Sequence, residues 1–434
     1  MTWGKGEGGG LGDTSAMHRL GQLRQDTFSS LSNRNYRLYF VGQGISMSGT
    51  WMQSVAQGLL VLDLTGSGTA LGLVTALQTL PILFFGAFGG VLADRFPKMR
   101  LLYTTQVVSA AIGLLTGMLV LTDAIELWMV YALGVASGLV KVVENPTRQT
   151  FVRELVGTTN LRNAVSLNST QINLARVIGP SIAGILVATV GLAWCFLIDG
   201  LSYAAVIFTM TRMRRSEMQL GARSARAPGQ LMEGFRYVRA SRPIRTILIM
   251  MAIIGMFTYE FSVVLPLFAE FTLDAGATGY AALTAAMGAG AVVGGLVSAN
   301  RRDNSARSLV VSAGLFGLAV LGTSFAPTLN TAVLGMVVVG FCSIQFTALG
   351  NVTLQTTSSP GMQGRVMALW TVGFLGTTPI GGPLMGFIGQ EAGARVALTI
   401  GGIAAIVAAG IGAWSLLGRG EPALGLMEGE TRQV

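Results

Sequence analysis

The sequence predicts an all-α membrane protein with twelve transmembrane helices, arranged as two pseudo-symmetric bundles of six helices. Three observations lead to this prediction. The composition is typical of a membrane protein, because 51% of the 434 residues are hydrophobic and only 11% are charged, and the mean hydropathy is +0.60. Twelve apolar windows are long enough to cross a bilayer, and short motifs of the first half recur in the second.

Apolar windows locate the predicted transmembrane helices. A helix of about 20 residues crosses the roughly 30 Å of hydrocarbon in a bilayer. In chain order the windows lie at 36–62, 70–93, 101–122, 127–147, 164–188, 192–212, 245–268, 279–299, 308–327, 331–352, 366–389 and 394–417.

The order of the windows divides the chain into five segments. The predicted segments are a disordered cytoplasmic tail at 1–26, an N-terminal six-helix bundle at 27–212, a cytoplasmic linker at 213–244, a C-terminal six-helix bundle at 245–417 and a second cytoplasmic tail at 418–434. The first tail has no apolar core of a signal peptide.

An amphipathic helix is predicted within the linker. Leu231, Phe235 and Val238 recur at helical spacing, with Arg236 and Arg239 beside them. This pattern is typical of a helix that lies at the membrane surface. The linker is either a plain tether between the two halves or a regulatory binding site.

Basic residues are concentrated in the loops of one side. With the N-terminus inside, nearly every Lys and Arg falls in a cytoplasmic segment, and only Arg395 falls in an outer turn. This positive-inside bias predicts that both termini are cytoplasmic and that the protein resides in the plasma (inner) membrane.

Three motifs recur at a nearly constant offset. Offsets of 203 to 206 residues relate the two copies of each motif. Such a duplication predicts two halves of the same design around a central interface. The matches are 145–149 with 351–355, Arg162 and Gly179-Pro180 with Arg365 and Gly382-Pro383, and Gly89 with Gly294.

The residues that most enzyme classes need are missing from the sequence. The single histidine, His18, lies in the polar tail, Cys195 and Cys342 lie in apolar windows, and no phosphate-binding loop or nucleophile elbow is present. We therefore expect no enzymatic activity, cofactor, metal or disulfide. The net charge of +9 is spread over short loops, so we expect no nucleic-acid partner. A duplicated membrane bundle of this kind predicts a transporter.

A charged turn follows the second window. It contains Gly90, Asp94, Arg95 and Lys98, and such charges mark a membrane–water boundary. The turn resembles the cytoplasmic loop signature of the major facilitator superfamily, except that Pro97 replaces the usual Gly and the basic pair is incomplete. The resemblance implies that Asp94 belongs to a charge network that holds one conformation of a gate.

Two Gly-Pro pairs interrupt apolar windows. The stretch 179–184, which begins with Gly179-Pro180, resembles the antiporter motif of exporters in this superfamily, and Gly382-Pro383 repeats the pair. The resemblance implies helices that bend and pack closely, and it favours export over import. A tolerated kink in a buried helix is the alternative interpretation.

Ionisable side chains inside windows are candidates for coupling to protons, because such groups are costly in hydrocarbon. The candidates are Asp199, Glu260 and Arg176, while Lys141 and Glu144 also lie within a window. A carboxyl group can exchange a proton when its surroundings change between apolar and cationic. The alternative is a fixed ion pair, such as Arg176 with Asp199, that braces two helices.

Neutral polar residues predict the lining of a central cavity. Amides and an aromatic ring suit a bulky, mostly apolar ligand that needs a few hydrogen bonds. The alternative is hydrogen bonding between helices of the N-terminal half. The candidates are Trp51, Gln53 and Gln57 in the first window and Asn168, Gln171 and Asn173 in the fifth.

The chain from about residue 27 to 417 resembles the enterobactin-exporter and macrolide-efflux group of the superfamily. The stretches 28–57, 145–149 and 173–184 carry this resemblance. One departure is Gly134, which stands where the superfamily usually has an Arg four residues before Gly138, so the resemblance assigns no proton-coupling role to this position.

We therefore predict a secondary active transporter that exports amphiphilic small molecules, such as drugs or a siderophore, by alternating access coupled to proton influx. Its expected partners are the small-molecule substrate, protons and the lipid bilayer, and it is expected to act as a monomer. An uptake symporter and a non-transporting sensor or scaffold with the same fold are the alternatives.

Overall fold

The computed structural model describes residues 29–157, 160–219, 230–299, 305–359 and 362–417, and every regular element in these ranges is helical. The predicted tails at 1–26 and 418–434, with His18, lie outside the described residues. So does the part of the predicted linker at 220–229.

Six long helices form the first segment, residues 29–212. Helix ends coincide with local signals, since Asn33 caps α1 by accepting from the Tyr36 amide at 3.1 Å and Gly66 ends it in a left-handed conformation. The helices are α1 Arg34–Thr65, α2 Gly68–Arg95, α3 Lys98–Leu121, α4 Leu127–Val156, α5 Leu161–Thr189 and α6 Ala193–Thr211.

The linker helix α7 and the second segment, residues 242–417, follow. The helices are α7 Gln230–Ala240, α8 Arg242–Phe257, α9 Phe261–Leu267, α10 Gly276–Ala299, α11 Ala306–Ser324, α12 Leu329–Thr357, α13 Gln363–Leu375, α14 Thr378–Glu391 and α15 Ala394–Gly412, with π-helical turns at Phe268–Thr272 and Ala413–Leu417.

Two of the predicted windows are broken. The seventh window divides into α8 and α9 around Tyr259 and Glu260, and the eleventh divides into α13 and α14 at Gly376 and Thr377. Discontinuous helices in membrane proteins expose backbone groups and are found where a binding site or a hinge is needed.

Ten of the described helical segments are long and apolar enough to cross a membrane. Helix α1 is not among them because its 32 residues include Gln43, Gln53 and Gln57. Helices α13 and α14 are not among these ten segments, because the break leaves them with only 13 and 14 residues.

The same helix pairs pack together in both segments. Contacts of α2 with α4, α3 with α6 and α1 with α6 have their counterparts in α10 with α12, α11 with α15 and α8 with α15. Small residues allow these close contacts. Gly89 lies against the Val142 carbonyl, and Gly340 lies in the same way against the Met287 carbonyl.

Basic side chains gather at one end of the helices, which we call the basic end. Arg34 donates to the Arg212 carbonyl there at 2.9 Å, and Lys98 forms an ion pair with Glu154. The linker helix α7 lies at the same end, where Glu233 pairs with Arg365 at 2.8 Å. The other end is called the opposite end.

The two segments meet mainly through α2 against α14 and α5 against α10. Near the opposite end, a Cβ atom built on Gly68 would lie 2.5 Å from the Gly386 carbonyl oxygen, and Gly72 approaches the Gly382 carbonyl more closely still. Ser67 donates to the Gln390 side chain there at 2.7 Å. The segments are therefore in direct backbone contact at the opposite end.

Candidate functional site

A polar cavity of about 380 Å³ lies inside the first segment. All six helices α1 to α6 contribute to its wall, and the wall contains charged, amide, hydroxyl and apolar side chains. The polar lining residues are Gln43, Ser46, Thr50, Gln53, Ser54, Gln57, Gln78, Ser109, Thr116, Ser137, Lys141, Glu144, Asn145, Arg148 and Tyr203.

One face of α4 supplies the charges of the cavity. Lys141, Glu144 and Arg148 are spaced so that they share this face. Glu144 accepts a hydrogen bond from the Gln106 side chain of α3 at 3.1 Å. Lys141 and Arg148 have no hydrogen bond or ion pair to any described residue, so two cations and one carboxylate face the cavity.

The wall from α1 contains three of the predicted cavity residues, Trp51, Gln53 and Gln57. Gln57 accepts a hydrogen bond from Gln78 of α2 at 2.7 Å. The guanidinium of Arg176 lies 4.7 Å from the centre of the Trp51 ring, within the range of a cation–π interaction. Gln57 and the Trp51 ring are thus held in place by α2 and α5, respectively.

Asp199 of α6 lies beside the cavity and is completely buried. Neither of its carboxyl oxygens has a hydrogen-bond partner among the described residues. A Cβ atom built on Gly49 would lie 2.7 Å from one of them, and Lys141 and Glu144 are near enough to interact electrostatically. The alternative of an Arg176–Asp199 ion pair is wrong, because Arg176 stacks on Trp51 instead.

Glu260, the second buried carboxyl, lies at the break between α8 and α9 and is 2% exposed. Its Oε1 atom has no hydrogen-bond partner among the described residues. The side chain contacts Thr378 at the start of α14, and a Cβ atom built on Gly381 would lie 3.0 Å from Oε1. Glu260 is therefore separate from the polar cavity and faces the second broken helix.

The three polar candidates of α5 do not line the polar cavity. Gln171 donates to the Phe40 carbonyl of α1 at 2.5 Å, and Asn173 donates to the Ser169 carbonyl of its own helix at 2.9 Å. Asn168 is half-buried beside them. Gln171 thus makes the interhelical bond that the alternative interpretation predicts.

The charged turn occupies the basic end of α2 and α3. Gly90 is buried, Asp94 is half-buried and Arg95 is exposed, while Lys98 forms the ion pair with Glu154 of α4. No described residue forms a hydrogen bond or an ion pair with Asp94. The carboxylate is therefore available to a partner at this end of the molecule.

Both Gly-Pro pairs lie where two helices touch. A Cβ atom on Gly179 would lie 2.6 Å from the Ser48 carbonyl oxygen of α1, and one on Gly382 would lie 3.1 Å from the Gly72 carbonyl oxygen. Helix α5 runs without interruption through Pro180, and the break near the second pair lies before Pro383, at residues 376–377.

The charged wall of α4 is not among the sites predicted from the sequence. Lys141 and Glu144 are predicted as ionisable residues within a window, but not as part of one site with Arg148 and Gln78. The spacing of Ser137, Lys141, Glu144 and Arg148 follows one helical face, and this periodicity is the signal that could have identified the wall.

Comparisons with known proteins agree with this architecture. Residues 25–423 match the family model described as transmembrane secretion effector. The enterobactin exporter EntS of Escherichia coli O81 (strain ED1a) is 27% identical over 367 residues, which cover 82% of this chain and 85% of that protein. EntS of Shigella flexneri is 28% identical over 361 residues, with the same coverage of 82% and 85%.

Solved transporter structures share the fold at low sequence identity. A bacterial homolog of the human lysosomal transporter Spinster, in an inward-facing and unoccupied conformation, has a TM-score of 0.68 and 13% identity, with 88% of this chain and 97% of that chain covered. The nucleoside transporter NupG has a TM-score of 0.66 and 13% identity, with 88% and 98% covered.

Proposed function

Because the chain belongs to the transmembrane secretion effector family of the major facilitator superfamily, we propose that it is a secondary active transporter that exports amphiphilic small molecules by alternating access. The observation that carries this proposal is the polar cavity of about 380 Å³ inside a bundle of membrane helices. Charged and amide side chains at this depth are costly unless they serve a substrate or an ion.

In this proposal the chain has twelve transmembrane helices in two bundles of six, 27–212 and 245–417. The ten apolar segments become twelve when α1 is included and when α13 and α14 are joined as one broken span. The repeated helix pairs of the two segments support the pseudo-symmetric arrangement. The linker 213–244 then connects the bundles at the basic end.

The basic end is the cytoplasmic side in this proposal, because the positive-inside rule assigns the Lys- and Arg-rich loops to that side. Both termini are then cytoplasmic, and the protein resides in the plasma (inner) membrane as a monomer. The glycine contacts of α2 with α14 close the opposite, outer side. The structure then corresponds to a state that receives substrate from the cytoplasm.

The proposed substrate is an amphiphilic small molecule, such as a siderophore or a drug. The cavity wall combines amides and charges with apolar side chains such as Met47, Ile112 and Phe196. Two of the similar proteins, EntS of Escherichia coli O81 and EntS of Shigella flexneri, are enterobactin exporters. Both observations support a ligand with a large apolar body and several polar groups.

Proton influx is the proposed driving force, with Asp199, Glu260 and Arg176 as the candidate coupling residues. Asp199 is buried, has both oxygens unpaired, and lies near Lys141 at the cavity. A carboxyl group in such a place gains or loses a proton when a cation or a substrate approaches it. Arg176 takes part through its position between Trp51 and Tyr259.

Efflux from proteoliposomes tests this function. The full chain, reconstituted in an inverted orientation with a proton gradient, is expected to accumulate an amphiphilic dye in the lumen, and dissipating the gradient is expected to stop accumulation. If accumulation of the dye is the same with and without the proton gradient, the proposal of proton coupling is contradicted. If neither the parent protein nor Asp199→Asn accumulates any amphiphile, the proposal of transport is contradicted.

A further inference from the structure

The cavity is polarised along the axis of the helices. At the basic end its wall contains the charged residues Lys141, Glu144 and Arg148, whereas toward the opposite end it contains Val130 and Leu133 together with the amides Gln57 and Gln78. Leu133 and Lys141 are on the same helix, about 12 Å apart along its axis at 1.5 Å per residue. One end of a bound molecule therefore meets charges, and the other end meets uncharged side chains, both apolar and amide.

The positive charges in the wall are balanced in part by carboxyl groups, since Glu144 and Asp199 lie near enough to Lys141 to interact with it electrostatically. Glu144 is the one carboxylate in the described lining, and its Oε1 atom accepts from Gln106. Lys141 and Arg148 have no hydrogen-bond or ion-pair partner among the described residues. Asp199 is nearby but buried in the contact between α6 and Gly49 of α1, outside the cavity wall.

Two cations in a cavity wall that make no hydrogen bond or ion pair to the described residues are costly, and a bound anion would offset this cost by supplying charge-assisted hydrogen bonds. A cationic head group would instead be repelled by Lys141 and Arg148. A neutral head group would leave both cations unpaired. The charge balance of the wall thus favours an acidic head group over the other two.

We propose that Lys141 and Arg148 form a subsite for the acidic oxygen group of the substrate, a carboxylate or a phenolate, while the uncharged end of the cavity takes its body. This inference rests on the function proposed above and specifies the substrate class as amphiphilic organic acids. The molecule binds with its acidic group toward the basic end.

The test is binding of three probes that share one apolar body. 1-Naphthaleneacetate, 2-(1-naphthyl)ethanol and 2-(1-naphthyl)ethylamine carry an acidic, a neutral and a cationic head group. Binding to the purified full chain in detergent is measured by calorimetry at neutral pH and low salt. The acid is expected to bind about tenfold or more tightly than the alcohol, the effect of one charge-assisted hydrogen bond, and the amine most weakly.

Variants assign this preference to the two cations. Lys141→Met and Arg148→Met are each expected to weaken binding of the acid about tenfold, with the alcohol unchanged. Arg153→Met is the matched control, because Arg153 is an exposed cation of α4 that does not line the cavity. Glu144→Gln keeps the shape of the wall and is expected to strengthen binding of the acid several-fold.

Equal affinity for the acid and the alcohol in the parent protein, or no binding of the acid, would overturn the inference. A preference for the acid over the alcohol that remains in both Met variants would also overturn it. If a Met variant fails to fold, the inference is overturned when Glu144→Gln leaves the affinity for the acid unchanged. Because binding in detergent needs no transport, a protein that prefers the acid but extrudes nothing contradicts the proposed function alone.

Discussion

The two segments share their helix packing but differ in what fills them. In the first, α4 presents Glu144 and Arg148 to an open cavity. At an offset of 206 residues, α12 has Gly350 and Leu354 at the corresponding positions. Leu354 is completely buried, and a Cβ atom on Gly350 would lie 2.9 Å from the Trp370 ring. An apolar side chain and an indole ring thus occupy the place of the charges.

This difference separates two tasks that a duplicated transporter must perform. The first segment holds polar groups that can bind a substrate, while the second has apolar side chains at the corresponding positions and two broken helices. Tyr259 at one break packs its ring 4.6 Å from Phe374 and donates to the Ser343 carbonyl at 3.2 Å. Movement of the second segment against the first would open and close the cavity.

The largest effect is expected from the buried carboxyl of the first segment. Asp199→Asn should lower gradient-driven efflux about a hundredfold, because the amide cannot exchange a proton. Glu260→Gln, in the second segment, should lower this efflux several-fold, because Glu260 contacts α14 and does not line the cavity. Efflux from proteoliposomes with and without a pH gradient checks both. The reverse order of effects would place coupling in the second segment.

A somewhat smaller effect is expected at the contact between the segments. Gly72→Val should lower transport about tenfold, because the new side chain would overlap the Gly382 carbonyl and hold α2 away from α14. Gly86→Val is the control, since a Cβ atom there meets nothing within 4 Å. Cysteine cross-linking between the two helices measures closure, and unchanged cross-linking in Gly72→Val would contradict the role of this contact.

At the basic end of the first segment, Asp94→Asn should lower transport several-fold. The carboxylate has no hydrogen-bond or ion-pair partner among the described residues, and we expect it to pair with a cation when this end closes. Initial efflux rates check this, with the exposed Asp123→Asn as the control at the opposite end. A rate equal to that of the control would show that Asp94 has no part in the gate.

The smallest effect is expected where the linker helix meets the second segment. Glu233→Gln breaks the ion pair with Arg365, but the two side chains are 59% and 24% exposed. The free energy of unfolding should therefore fall by about 0.2–1 kcal/mol, and the difference should vanish at roughly 1 M salt. Thermal unfolding in detergent measures it. Efflux that falls with Glu233→Gln would favour the regulatory interpretation of the linker.

Much of the fold could be predicted because its determinants are local or periodic. Apolar windows set the helices, and the offset between motifs of the two halves anticipated the repeated helix pairs. The breaks around Glu260 and at Gly376 were not predicted, since both windows remain apolar through them. A break of this kind depends on tertiary contacts, such as Glu260 with Thr378, that no window of sequence contains.

The site was predicted in part for a similar reason. Gln53 and Gln57 stand out as amides within a window, and both line the cavity. Gln171 has the same chemistry, but its amide is turned toward the Phe40 carbonyl. Which face of a helix meets a neighbour is decided by packing, so composition alone could not separate these two outcomes.

The contact of Gly68 and Gly72 with Gly386 and Gly382 brings the main chains of the two segments together, and beside it the Ser67 and Thr69 side chains donate to Gln390. At the four glycines the two helices can part and meet again without a change of rotamer, because glycine has no side chain. Separation there also breaks the hydrogen bonds to Gln390. A junction of this kind favours repeated separation over permanent closure, and a transporter must separate it once for each molecule that it carries.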